Sequence, residues 1–456
     1  MSQVKFLNHS SVSIEHKKVK ILCDPWFKER AFNDSWQLLF ENSHDINHLE
    51  YDYIWISHEH PDHFSIATLN SLKKETTFLY QHTLDKKVKN FLQKKGHSVI
   101  ELKDSITKKL KGIDLTLFVC DGYDASLLCE FSDGKIFLNI NDARVELGNE
   151  ISRIKKFLKK APDLIATQFS YANWAGNKND KLISKYQQEL VNKRNIKIIK
   201  KFKPKSLMLF ASYIFYCHQE NFYWNDSKYL FEISDIFKGL NSKIIIPKPN
   251  QKVLLSKIKN NRDLDKSNKL ALGFWKKKYK KISIITNTKS ADIKELKKNY
   301  KLFYKKLWSE NYKKSIKLVK NYKFNLKIFV SDLNVSIKIG LFNLSFDKID
   351  KNEECDCSIS SETFIFLMKN KFGRGTVTIN SRIEFNYNYA HRFFIYFYFF
   401  YLNNLGIYVQ KKKIFLANNL NSIKKTSVMT SILKYNKQSK NIFEKDLKSI
   451  FKNYKK

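Results

Sequence analysis

Apolar and polar positions alternate from the first residues of the chain. Val4-Lys5-Phe6-Leu7, Val12-Ser13-Ile14 and Val19-Lys20-Ile21-Leu22-Cys23 read as three short strands separated by polar turns. Tyr53-Ile54-Trp55-Ile56 is a further apolar run. Ser65 to Lys74 then reads as a helix capped by Ser65. Phe78-Leu79-Tyr80, Val99 to Leu102, Leu115 to Val119, Leu164 to Phe169 and Ser206 to Tyr213 read as strands, with a helix over Asp85 to Lys95. Leu127 to Phe131 and Lys135 to Asn139 form a hairpin around Ser132-Asp133-Gly134, while residues 28–50 show no regular pattern. Strands alternating with helices predict an α/β fold.

The pattern changes beyond residue 250. Residues 251–320 hold 22 Lys/Arg against 5 Asp/Glu, with Leu296, Tyr300, Phe303 and Leu307 at helical spacing. This predicts a basic helical connector. From residue 321 the alternating runs Leu326 to Val330 and Val335 to Ile339 suggest sheet, followed by an acidic turn and a helix near Ser358 to Phe364. Thr376-Val377-Thr378-Ile379 reads as another strand and Phe393 to Leu402 as an aromatic helix. Three regions are therefore expected: residues 1–250, the connector 251–320, and a smaller α+β C-terminal domain over 321–456.

At 456 residues and 43% hydrophobic composition, the chain can bury a sizeable core. The formal charge of +39 comes mostly from Lys spread along the chain, without zinc-finger spacing or an aromatic RNP-like run. A positive surface that attracts a small anionic substrate accounts for it, and nucleic-acid binding is the secondary reading. The six Cys are scattered and the first residues lack an apolar signal region, which points to a reduced, cytoplasmic protein. Phe393 to Leu402 is too short to span a bilayer, so no membrane span is expected.

The densest chemistry is Ser57-His58-Glu59-His60-Pro61-Asp62-His63, directly after the Tyr53–Ile56 strand. In extended chain alternate side chains share a face, so His58 and His60 can converge on one cation. A turn at Pro61 lets Asp62 and His63 face a second. Four candidate ligands lie within six residues of a chain with eleven His in all. The segment resembles the His-x-His-x-Asp-His pattern of the metallo-β-lactamase superfamily. That resemblance implies an αββα sandwich holding two divalent metal ions, zinc in a hydrolase, with Asp62 orienting the attacking water.

The same resemblance assigns roles elsewhere. The opening FLNHSSVSIEHKKVKILCDPWF is similar to the lactonase-like branch, which makes His9 a pocket-lining candidate, or simply a hydrogen-bonded turn histidine. Asp24 is expected to orient a ligating His rather than bind metal itself. Asp142, at the end of LNINDAR, is the candidate bridge, because two carboxylate oxygens can span two cations. His218, after a late strand, is the expected last ligand. Hydrolases of the superfamily usually carry another His upstream of the hairpin, where this chain has Asp121 and Asp124. If either acts as ligand, the oxygen-rich set leans towards iron or manganese.

DPWF, SHEHPDHF, LNINDAR and FASYIFYCHQEN together resemble the CMP-N-acetylneuraminate hydroxylase group over roughly residues 1–250. A Rieske module needs Cys-x-His and Cys-x-x-His pairs, and this sequence has neither. The expectation is thus a metal-dependent hydrolase of an ester, lactone, amide or phosphoester. The alternative is a di-iron oxygenase acting on an N-acyl sugar nucleotide or related metabolite with a separate electron donor.

Overall fold

Among the described residues, fourteen strands between Gln3 and Leu254 fall into two seven-stranded sheets. The computed structural model describes residues 1–41, 45–120, 124–174, 176–227, 236–237, 239–258, 261–311, 325–410 and 413–416. In chain-order numbering, the first sheet runs β16 (Lys252–Leu254), β1 (Gln3–Asn8), β2 (Ser11–His16), β3 (Val19–Cys23), β5 (Tyr53–Ile56), β6 (Thr77–Gln81) and β7 (Ser98–Leu102). The second runs β15 (Lys243–Ile245), β13 (Ser206–Phe210), β12 (Leu164–Gln168), β11 (Ile136–Asn141), β10 (Asp124–Phe131), β9 (Ile113–Cys120) and β8 (Thr107–Leu110). β4 (Trp36–Leu38) lies within the stretch that lacks a sequence pattern and pairs with β14 (Ile214–Tyr216).

Each large sheet is half antiparallel and half parallel. Hairpins build β1–β2–β3 and β8 to β11, whereas β3–β5–β6–β7 and β11–β12–β13–β15 are parallel. Every residue of β11, β12 and β13 is buried, as expected of strands covered on both faces. The arrangement is the αββα sandwich. Ile54 and Ile56 of β5 pack with Leu7, Leu22, Phe78, Tyr80 and Leu92, which anchors the strand that carries the His-rich segment. Ser65 caps the following helix (Ile66–Asn70) by accepting the Thr68 N–H.

The chain divides into two compact units. The first comprises Met1–Ala172, Gln187–Cys217 and Trp224–Ile285; the second comprises Asn173–Tyr186, His218–Tyr223 and Thr286–Lys456. The basic stretch 251–320 is split between them, with helix Asn261–Tyr279 in the first unit and helix Ile293–Glu310 in the second. Within the second unit, β19 (Phe346–Ile349), β18 (Val335–Gly340), β17 (Asn325–Val330), β20 (Cys357–Ile359) and β21 (Glu384–Phe385) form a sheet in that order. Leu296, Tyr300, Phe303 and Leu307, the helical stripe of the sequence, are buried in one core with Ile328, Ile337 and Ile339.

Two local expectations fail there. Thr376 to Ile379 is not a strand but part of the helix Gly373–Ile379. Its β-branched residues favour strand, yet Gly373, Thr376 and Val377 are the buried positions, the spacing of a helical face. A side chain at Gly373 would sit 3.0 Å from the Leu367 Cα, so glycine permits a close approach to the helix Ser361–Lys369. The aromatic run is two helices, Ala390–Tyr396 and Tyr398–Asn404, parted at Phe397. Among the described residues no helix is long and apolar enough to cross a membrane.

Candidate metal centre

Strand ends supply the site. His9 follows β1, Asp24 follows β3, Ser57 to His63 follow β5, and Asp142 follows β11. The chain leaves three of these strands through left-handed backbone, with φ of 38° at His9, 44° at Asp24 and 59° at Asn141. Non-glycine residues rarely adopt such angles, and they persist where the surroundings enforce them, often at functional sites. At His9 the enforcing contacts are the Ala211 N–H donating to its carbonyl at 2.7 Å and its own N–H donating to Asn8 Oδ1 at 3.0 Å.

Two groups of possible ligand atoms result, His9 with Asp62 and His63, and His58 with His60 and Asp142; within each group the atoms lie within 4.8 Å of one another. In the first, Asp62 Oδ2 is 3.1 Å from His9 Nε2 and 3.3 Å from His63 Nε2. In the second, His58 Nε2 is 2.7 Å from His60 Nδ1. Asp142 Oδ2 lies 3.6 Å from Nε2 of both His58 and His63, so one carboxylate faces both groups. Asp124 Oδ1 stands 3.8 Å from His58 Nε2.

The electrostatics suit cations. Burial pushes the His58 and His60 imidazoles down, towards the neutral form that offers a lone pair. Burial alone would raise the Asp62 and Asp142 carboxyls. The His63 charge on Asp62, and His58 and His63 beside Asp142, hold both below the usual carboxylate range. Asp62 Oδ1 and Asp142 Oδ1 are buried without a hydrogen-bond partner among the described residues. Buried carboxylate oxygens left unpaired are costly, and coordination of a cation would satisfy them. Nitrogen and oxygen donors in this mixture fit zinc or iron.

Asp24 ties the site to the strands. Its Oδ1 accepts the Ser57 N–H at 2.7 Å. Its Oδ2 accepts from Ser57 Oγ at 2.8 Å and Asn141 Nδ2 at 2.6 Å, and lies 3.1 Å from His63 Nδ1. The carboxylate therefore fixes the His63 ring from the side opposite Asp62. Trp26 meets the His9 ring edge-on, with centroids 5.4 Å apart.

Of the candidates, His58, His60, Asp62, His63 and Asp142 come together, joined directly by His9 rather than merely bordered by it. Asp24 stands behind His63 and Asp124 beside His58. Asp121 lies outside the described residues. His218, expected with Asp62 and His63, belongs to the second unit. It is buried there with Nδ1 3.6 Å from Glu220 and Nε2 3.8 Å from Glu362. Asn141 and Ser57 also belong to the site, as partners of Asp24. Their adjacency to Asp142 and His58 is the only signal they carry in the sequence.

Residues 3–121 match the model of the β-lactamase superfamily domain. A Mycobacterium tuberculosis protein named as a Rieske 2Fe-2S iron–sulfur protein is 32% identical over 155 residues, 31% of this chain and 30% of the relative. Cytidine monophosphate-N-acetylneuraminic acid hydroxylase of Danio rerio is 24% identical over 279 residues, 56% of this chain and 46% of the relative. The chain thus spans less than half the length of these relatives. Among solved structures, the isothiocyanate hydrolase from Delia radicum gut bacteria aligns at 14% identity and a TM-score of 0.40, covering 55% of this chain and 98% of that one. The chain carries a metallo-β-lactamase fold and resembles the branch that includes CMP-N-acetylneuraminic acid hydroxylase.

Proposed function

We propose that the first unit holds two divalent cations and that the protein is a metal-dependent hydrolase of an ester, lactone, amide or phosphoester in a small anionic metabolite. His58, His60 and Asp142, with Asp124 beside them, would hold one cation. His9, Asp62 and His63 would hold the other, with Asp142 shared. The observation that carries this reading is the Asp142 carboxylate, whose Oδ2 is 3.6 Å from a ring nitrogen of each group. Bound cations of this kind supply a water whose pKa falls from ~15.7 to about 7, or a site for dioxygen if they are iron.

The remaining roles belong to the chain. Asp62, kept ionised beside His63, offers Oδ1 as the acceptor that orients the attacking water. Asp24 Oδ2 accepts from His63 Nδ1 at 3.1 Å and from Asn141 Nδ2 at 2.6 Å, so that His63 Nε2 faces the site. The positive charge of the protein favours an anionic substrate.

A second reading, a di-iron oxygenase supplied by a separate electron donor, is favoured by one feature. A carboxylate, Asp124, stands near His58 where a His is usual, and such sets lean towards iron. Its substrate would be an N-acyl sugar nucleotide or a related metabolite, the class named by the hydroxylase relative.

Elemental analysis of protein purified without added metal, alongside His60→Ala, tests both readings. About two equivalents of zinc without oxygen uptake support the hydrolase. Iron with reductant-dependent oxygen consumption moves the assignment to the oxygenase. Equal metal content in wild type and variant would refute the site.

A further inference from the structure

Away from the metal centre, His16 at the end of β2 joins Ser2 and the turn that links β10 to β11. Ser2 Oγ lies 2.7 Å from Asp133 Oδ1 and 2.9 Å from His16 Nδ1; His16 Nε2 lies 2.8 Å from Ser132 Oγ. These contacts fix the protons. An ionised Asp133 only accepts, so the Ser2 hydroxyl donates to it and the Ser2 oxygen accepts from His16 Nδ1–H. His16 Nε2 then carries no proton, and Ser132 Oγ–H donates to it. The Ser2 N–H also donates to Asp133 Oδ2, at 3.2 Å, and the Lys135 N–H to Asp133 Oδ1, at 3.3 Å. Both keep that carboxylate in its accepting state.

Burial divides the roles in the same way. Ser2 and His16 are buried, whereas Ser132 is exposed on the turn. The Phe131 ring lies against the His16 imidazole, with centroids 5.4 Å apart. Gly112 closes the other side: a Cβ there would sit 3.2 Å from His16 Cδ2 and 3.5 Å from Ser132 Oγ, so glycine leaves the dyad its space. An accessible hydroxyl, a buried base within hydrogen-bond reach and a third group orienting that base are the parts of an activated nucleophile.

We propose that Ser132 is an activated serine that takes an acyl group from an activated ester or thioester, with His16 as general base and Ser2 and Asp133 as positioning residues. Ser132 Oγ attacks the acyl carbon as its proton passes to His16 Nε2. The bond to the leaving alcohol or thiol breaks, that group takes the proton from His16, and Ser132 is left as an ester. No redox partner is needed. The reaction is independent of the metal site.

A fluorophosphonate probe tests this on the intact chain. Ser132 Oγ would displace fluoride from phosphorus, giving one adduct per chain that peptide mapping places on Ser132. The adduct should be absent in Ser132→Ala. His16→Gln, which keeps a polar side chain in the buried position, should label at least about a hundredfold more slowly, the ordinary contribution of a general base. Asp133→Asn should slow labelling about tenfold with an unchanged circular dichroism spectrum, covering the case in which the His16 variant does not fold. No adduct on native protein, an adduct mapped elsewhere, or Ser132 labelling at wild-type rate in folded Asp133→Asn and His16→Gln would each overturn the proposal.

Discussion

Replacing Asp24 by Asn probes how the strands hold the metal centre. Asp24 is fully buried and faces four groups: Ser57 N, Ser57 Oγ, Asn141 Nδ2 and His63 Nδ1. An amide in its place keeps one acceptor oxygen, which can continue to serve the Ser57 N–H. Its NH2 would then point at Ser57 Oγ, which can turn to accept it, and at Asn141 Nδ2 and His63 Nδ1, leaving one N–H of each of these two without its acceptor. At about 1–3 kcal/mol for each unsatisfied buried donor, the loss of stability is about 2–6 kcal/mol. Freeing the His63 ring should also weaken metal binding by about 10–100-fold. The first quantity is read from urea unfolding of chelator-stripped protein, the second from zinc competition against a chelator. An unchanged unfolding midpoint would sink the packing argument. A stability loss with zinc affinity within twofold of wild type would sink the orienting role of Asp24 while leaving its structural one.

Other outcomes follow from the same contacts. His218→Gln should retain the metal content of the wild type in elemental analysis, because His218 stands with Glu220 and Glu362; a loss matching His60→Ala would return it to the ligand set. Glu362 sits at about 2, since His218, the Arg382 guanidinium and the Lys289 N–H outweigh the burial that would raise it. A carboxyl depressed on folding stabilises fully above its unfolded value near 4.5 and loses that contribution as pH falls towards 2. Thermal melts of Glu362→Gln should therefore lie below wild type at pH 6 and converge with it near pH 2; a constant gap would contradict the pairing. Ile328→Ala in the second core should cost about 2–5 kcal/mol in urea unfolding, and a change under 1 kcal/mol would mean that the core is not packed as described.

Much of the N-terminal half is legible without coordinates because its signals are local. Alternation marks β1, β2 and β3, the turn Ser132-Asp133-Gly134 marks the β10–β11 hairpin, and one strand followed by a turn carries His58, His60, Asp62 and His63 together. The stripe Leu296, Tyr300, Phe303 and Leu307 likewise announces a buried helix face, since the spacing itself is the evidence of burial. Thr376 to Ile379 shows the limit of such reading. β-Branched residues report a preference, and contact with the helix Ser361–Lys369 overrode it.

Local pattern is enough to place a His- and Asp-rich segment after one strand and Asp142 after another. Which distant residues meet that segment depends on how the chain packs. His9 and His218 are each a histidine after a strand, and nothing local separates them. Their difference lies in chain packing: β1 stands in the same sheet as β5, and the backbone turns at His9 with φ of 38°, bringing Nε2 to 3.1 Å from Asp62. His218 has Nδ1 3.6 Å from Glu220 and Nε2 3.8 Å from Glu362. Ligand identity was local chemistry, whereas ligand assembly depended on sheet order and backbone turns that no short window of sequence contains.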